Sequence, residues 1–278
     1  MKPAPFDYMR PRTVAEASAL LAQEGVSTAA IAGGQSLVPM LSLRVAVVDL
    51  LVDLSWLDEL KAVNETPDHV HIGALTTHAD IEDGRIPDPF GGLMRRVAST
   101  ISYRAVRNHG TIGGSVALAD PAADWPGCLI ALGASIRVAD GTGTRRQPVA
   151  DFVQGTYSTT LAPGEIVLGF DLPRPAKPPR WGFAKVARKS GAFANSIAYV
   201  VEQGGGGPLT VVLAAAGPRP IVFAGAARHL ASGADCENEL RAAIEDDLKM
   251  HLPDADPYEQ RLHVSTVMRA ARDMRARS

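Results

Sequence analysis

Thr28-Ala29-Ala30-Ile31-Ala32-Gly33-Gly34-Gln35-Ser36-Leu37 is the stretch that decides how this chain reads. A short buried-strand pattern runs straight into Gly-Gly and ends on a hydroxyl residue. Glycine lacks the Cβ that would hold a ligand off and accepts positive φ, so consecutive backbone N–H groups can point at one anion. A strand that turns in this way presents its amides as dinucleotide sites do. A second segment of the same kind, Thr111-Ile112-Gly113-Gly114-Ser115, lies further along. Neither contains Lys or Arg, so anion binding there falls to backbone dipoles and to hydroxyls such as Ser36 and Thr111. Two such segments suit a pyrophosphate, one for each phosphate; either alone reads as an ordinary tight turn.

Working outward, Thr13-Val14-Ala15-Glu16 is a capping box and predicts a helix from about Val14 to Gln23. With one strand at Thr28–Ile31 and another contained within Val45–Leu54, residues 1–55 form a βαβ-like unit. The middle region, 56–175, begins with a strand from Val70 to Ala74. A short helix follows, capped by Thr77 and running through Glu82, then a longer one around Phe90–Ile101. After the second glycine segment, Asp124 opens an apolar helix through Leu132. A hairpin turning on Asp140-Gly141-Thr142-Gly143 follows the strand Ser135–Ala139, and a strand from Ile166 to Leu172 closes the region. Pro173, Pro175, Pro178 and Pro179 make a stiff connector, the predicted domain boundary. Residues 180–278 then read as strands (Trp181–Arg188, Ser196–Val201, Leu209–Ala215, Ile221–Phe223) followed by helices, the last from about Pro257 to Arg275. Antiparallel strands followed by helices make this an α+β protein.

Composition limits the functions open to it. Hydrophobic residues make up 46% and charged residues 21%, ordinary for a globular protein. A net charge of −2 gives no reason to expect nucleic acid or an anionic membrane as partner. Met1–Thr13 has no apolar core of a signal peptide, and Asp49 and Asp53 interrupt the best candidate for a membrane span, so a cytoplasmic location is expected. Only Cys128 and Cys236 are present, too few for an iron–sulfur cluster, which normally takes four thiolates. His69, His71, His78 and His109 invite a metal site, but no carboxylate or cysteine cluster accompanies them. The chain has no Gly-x-Ser-x-Gly elbow, no Walker loop and no Gly-x-Gly-x-x-Gly.

Ala32-Gly33-Gly34-Gln35-Ser36-Leu37-Val38-Pro39-Met40-Leu41 resembles the first flavin loop of the FAD subunits of molybdenum hydroxylases. Val106-Arg107-Asn108-His109-Gly110-Thr111-Ile112-Gly113-Gly114-Ser115, followed by Ala119-Asp120-Pro121-Ala122-Ala123-Asp124, is similar to the second. The family includes the medium subunits of aerobic carbon monoxide dehydrogenases and the FAD domain of xanthine dehydrogenase. The resemblance extends from Pro5 to the Tyr258–Met268 segment. It implies a two-part FAD-binding domain of the PCMH type, followed by a C-terminal antiparallel sheet with helices. It places cofactor contacts at Ala32, Gly33, Gly34, Gln35, Ser36 and Leu37, and at Thr111, Ile112, Gly113, Gly114 and Ser115. It adds Asp124 and Lys185 as polar contacts, with Ile101 and Val167 as apolar ones.

Each of these has a plainer reading beside it. Asp124 reads as a helix cap or as a carboxylate accepting from a ribityl, ribose or imide group. Lys185 reads as a surface lysine or as a cation near the flavin ring, where it would stabilise the reduced form. Ile101 and Val167 read as core or as cavity lining. Gln35 stands where a histidine would suggest covalent attachment in related oxidases, so the FAD is expected to be non-covalent. Relatives often carry Asp where this chain has Ala192.

The resemblance also implies partners: a small subunit with two [2Fe–2S] clusters and a large subunit carrying the molybdenum cofactor, assembled as a dimer of heterotrimers. Electrons released at molybdenum would reach FAD through the clusters and leave to an external acceptor such as NAD, a quinone or O₂. No side chain of this chain is then required as acid, base or nucleophile. The alternatives are a free-standing FAD-dependent oxidase or dehydrogenase acting directly on a small molecule, and a non-catalytic flavoprotein.

Overall fold

The computed structural model describes residues 2–234 and 236–277. Met1, which begins the stretch read for a signal peptide, lies outside the described residues. Four sheets and the helices around them make a mixed α+β architecture.

The N-terminal unit is a parallel three-stranded sheet in which Leu50–Asp53 lies between Asp7–Met9 and Thr28–Ile31. Thr13 caps the helix Val14–Leu21 by accepting the N–H of Glu16, but the expected capping box forms on one side only, because the Glu16 carboxylate accepts the N–H of Arg12 and not that of Thr13. The strand expected within the apolar run 45–54 is Leu50–Asp53, because its partners Thr28–Ile31 reach no further, and Val45 and Val47 are left exposed. A helix over Leu37–Leu43 occupies a stretch where no element was expected. Almost all its residues are apolar, so no face stands out from the sequence, and Pro39 falls in the first turn, where its missing N–H costs nothing.

The middle region is built on an antiparallel five-stranded sheet ordered Val63–Glu65, His69–Gly73, Ile166–Pro173, Ser135–Ala139, Thr144–Pro148. Asp140 fixes the expected hairpin by accepting the N–H groups of Thr142 and Gly143. The helix expected over 90–101 spans only Leu93–Ala98. Gly91 and Gly92, with φ of +64° and +96°, hold the chain out of helical geometry until Leu93. The helix Asp124–Ala131 buries Trp125, Cys128 and Leu129 completely.

Beyond the proline connector, Arg180–Ala187, Ala194–Glu202, Leu209–Ala214 and Ile221–Val222 form an antiparallel four-stranded sheet. Its central strand is buried on both faces and alternates with period two. Ile197, Tyr199 and Val201 join the core around Trp125 and Leu129, whereas Ala198 and Val200 pack with the helices Ala224–Ala231, Glu237–His251 and Pro257–Ala276. The middle and C-terminal regions therefore share a core across the connector. The last helix starts from a capping box of Asp256 and Glu259 with Pro257 at its first position. Cys128 and Cys236 are both free, and among the described residues no helix is long and apolar enough to cross a membrane.

Gly182 sets the approach of the last helix to the sheet, since a Cβ there would overlap the Ala270 carbonyl and lie 2.5 Å from the Met274 nitrogen. Gly182→Ala is expected to destabilise the chain by about 3 kcal/mol, the upper range for overpacking a tight contact. Urea denaturation followed by circular dichroism measures it, and an unchanged midpoint would contradict this packing.

Candidate functional site

The glycine segments meet at a cavity of about 490 Å³. All the residues assigned by resemblance line it except Ile112, which is fully buried and points into the core.

The first segment carries the free donors. The N–H groups of Gly33, Gly34, Gln35, Ser36 and Leu37 find no acceptor among the described residues. Gly34 turns the chain with a φ of +67°. Gly33 is needed for a different reason: a Cβ on it would overlap the His109 carbonyl, so this segment lies directly on the backbone before the second. The Gln35 side chain folds back to donate to the Gly33 carbonyl at 2.9 Å. A row of unpaired amides at the end of a strand is an anion cradle that uses no cation.

The second segment is arranged differently from the expectation of one loop for each phosphate. Thr111 caps the helix Ile112–Leu118, so Gly113 and Gly114 sit in its first turn. Their amides are committed: Ile112 donates to the Thr76 carbonyl at 3.0 Å, Gly113 to the Ala74 carbonyl at 2.9 Å and Ser115 to the Thr111 carbonyl at 3.1 Å. Gly114 donates to Thr111 Oγ1 at 3.0 Å. Gly113 is small because a Cβ would lie 2.6 Å from the Ala74 carbonyl oxygen. Gly114 is exposed, with only Thr111 Oγ1 close to where its Cβ would be, at 2.9 Å. This side of the cavity therefore offers hydroxyls and an open surface at Gly114.

Across the cavity, Lys185 Nζ lies 2.9 Å from both carboxylate oxygens of Asp124 and 3.2 Å from the Thr100 carbonyl. Their side chains are only 9% and 7% exposed, so Lys185 is not a solvated surface residue. Asp124 is the first residue of its helix and not the cap, which is Ala123. Burial pushes the Asp124 carboxyl up, against the pull of Lys185. Tyr199 donates to the Asp124 carbonyl at 2.8 Å, tying the helix start to the C-terminal sheet.

Leu54, Leu60, Leu75, Ile101 and Val167 give the cavity an apolar wall. Sequence reasoning missed His78 and the segment Gly191-Ala192-Phe193 as lining residues. Gly191 has a φ of +76°, and a Cβ on it would meet the Ser102 carbonyl at 2.8 Å, so this segment closes against Ile101-Ser102. The glycine itself was the only signal the sequence offered there. The other histidines considered for a metal go elsewhere: His71 Nδ1 lies 2.8 Å from Asp171, whose second oxygen takes Arg137 Nε at 2.8 Å. Burial would raise the Asp171 carboxyl, but the hydrogen bonds from Arg137 and His71 hold it below the usual range.

An elongated ligand with an anionic part and a flat apolar part fits this lining, which combines free amides, an apolar wall and a buried ion pair. Residues 4–175 match the family model described as the FAD binding domain in molybdopterin dehydrogenase. The chain belongs to that family, and it is the FAD-binding subunit of a molybdenum-hydroxylase-type dehydrogenase. Among the relatives, the carbon monoxide dehydrogenase medium chain of Afipia carboxidovorans is 35% identical over 74% of this chain and 72% of its own. The glyceraldehyde dehydrogenase medium chain of Sulfolobus acidocaldarius is 37% identical over 74% and 73%. A solved carbon monoxide dehydrogenase from Hydrogenophaga pseudoflava superposes with a TM-score of 0.92 at 32% identity, covering 100% of this chain and 99% of that one.

The ion pair can be tested directly. Lys185→Met leaves the Asp124 charge buried and unpaired, which costs about 3–5 kcal/mol at neutral pH. The loss should shrink on acidification, because protonation removes the orphaned charge. Adding Asp124→Asn to Lys185→Met should restore much of the stability. Denaturation of the single and double variants at two pH values measures this, and equal losses in both variants would contradict a buried ionised pair.

Proposed function

We propose that this chain holds FAD non-covalently in the cavity and relays electrons from [2Fe–2S] clusters of a small partner subunit to an external acceptor. In this reading the partner large subunit oxidises the substrate at a molybdenum cofactor. The row of unpaired amides from Gly33 to Leu37 carries the reading, because it is a built anion site facing an apolar wall. Bound FAD supplies the redox chemistry, accepting electrons one at a time and giving them up singly or in pairs. The chain's own task is to bind and orient it. The first glycine segment takes the diphosphate, with Ser36, Thr111 and Ser115 adding hydroxyls from either side. Ile101 and Val167 exclude water from the ring, and Asp124 and Lys185 supply polar contacts beside them.

Partners follow from what the chain lacks as well as from its relatives. Two separate cysteines cannot hold a cluster, and several relatives are themselves medium chains or subunits of larger complexes. We assign residues 1–55 and 56–175 to the FAD-binding part and 180–278 to a C-terminal part. The expected assembly is a dimer of heterotrimers in the cytoplasm.

Purified chain should be yellow, and acid should release intact FAD into the supernatant. Gly114→Val should lower FAD affinity by about 100-fold, roughly 2.7 kcal/mol, while the fold persists, because Gly114 is exposed where it lines the cavity. Gly33→Val is expected to unfold the N-terminal unit as well, since it strikes backbone. Flavin that stays with precipitated protein, or normal FAD binding by Gly114→Val, would contradict the assignment.

Co-expression with a cluster-bearing subunit encoded nearby should give a stable complex on size exclusion, and the isolated chain should turn over small substrates slowly at most. Rapid substrate oxidation by the chain alone would favour the free-standing flavin enzyme instead.

A further inference from the structure

We propose that His78 is a diphosphate-binding residue, donating a hydrogen bond from Nε2–H to the FAD diphosphate where the two glycine segments meet. His78 opens the helix His78–Glu82, which is fixed by the Thr77–Asp80 capping box. Its own backbone N–H donates to the Gly110 carbonyl at 2.9 Å, just before the second segment. The residue is 6% exposed yet lines the cavity.

Its tautomer follows from one contact. Trp125 Nε1 lies 3.0 Å from His78 Nδ1. An indole nitrogen can only donate, so Nδ1 must accept and the ring proton sits on Nε2. Burial first, and Arg107 second, push the imidazole down to about 4, so the ring is neutral at physiological pH. Nε2–H is therefore a fixed neutral donor.

That donor has no acceptor among the described residues. The buried side-chain polar atoms without partners are Thr76 Oγ1 and His229 Nε2, which leaves His78 Nε2 accessible from the cavity it lines. It lies 2.8 Å from where a Gly110 Cβ would stand, and Gly33 packs against that same His109–Gly110 backbone. The second glycine segment has spent its amides internally, and Lys185, the lysine that lines the cavity, is already held by Asp124 and the Thr100 carbonyl. His78 supplies from that side the donor the segment lacks. A donor held in one tautomer at a nearly buried position has few uses other than an acceptor oxygen brought by a ligand.

This inference rests on placing the diphosphate at the glycine segments, and the test separates the two. The apo full chain is titrated with FAD, ADP and riboflavin. ADP should compete with FAD in the wild type; failure to compete would overturn the placement and the inference together. In His78→Asn the amide oxygen still accepts from Trp125, but no donor reaches the cavity. FAD and ADP affinities should fall by at least about tenfold, the effect of one hydrogen bond to a charged acceptor, with riboflavin binding and thermal stability unchanged. Normal ADP affinity in the folded variant, or an equal loss with riboflavin, would overturn the role of His78 and leave the diphosphate placement standing. If His78→Asn does not fold, ¹⁵N-labelled wild type decides: the His78 Nε2–H signal should shift on adding ADP, and an unmoved signal would overturn the proposal.

Discussion

Gly33 lies so close to the His109 carbonyl that no other residue fits between them, and the shape of the cavity depends on that contact. It docks the N-terminal parallel sheet against the middle region at the strand end where the amides are free. Gly113 makes the corresponding approach on the other side, against Ala74, and brings the start of the helix Ile112–Leu118 down onto the five-stranded sheet. The cavity is the space left between two backbones held together by glycines. Most of the glycine requirement comes from protein packing against protein. Direct exposure to the cavity is clearest at Gly114, and positive φ is needed at Gly34.

The C-terminal sheet is tied to the cavity by buried polar contacts and not by its helices. Tyr199 holds the start of the helix Asp124–Ala131, and Lys185 reaches Asp124 and Thr100 from the neighbouring strand. Both strands belong to the core that also holds Trp125, so the ion pair is positioned by the same packing that stabilises two regions of the chain. Trp125 in turn fixes the ring of His78. One helix thus orients a carboxylate, a lysine and an imidazole around the same space.

Much of this was legible in the sequence where local rules act alone. The helix caps at Thr13 and Thr77 and the Asp140 hairpin need only neighbouring residues. What escaped notice depends on distant partners. Where the strand begins within residues 45–54 is set by the reach of Thr28–Ile31, and nothing near Val45 reports that. The glycine segments were visible, but their inequality was not, because the acceptors for the second are Ala74 and Thr76 on another stretch of chain. Likewise Ile112 shares its motif with cavity residues, yet the first helical turn rotates it into the core. His78 carried no signal of its own, since its role depends on a tryptophan far along the chain.

The electrostatics follow from this distribution of donors. Lys185 is matched by Asp124 at hydrogen-bonding distance, so the pair contributes no net positive charge to the cavity. His78 is neutral, and the glycine segments contain no basic residue. An anionic ligand is therefore met by oriented dipoles held in place by the fold, with little reliance on long-range attraction between charges. Dipoles act over short distances and are weakly screened when buried, so such a site selects by fit and depends little on ionic strength. On the proposed reading, the same neutrality makes the position of the amides decisive: with no mobile cation to adjust, the N–H groups would meet an anion only where Gly33 and Gly34 set them.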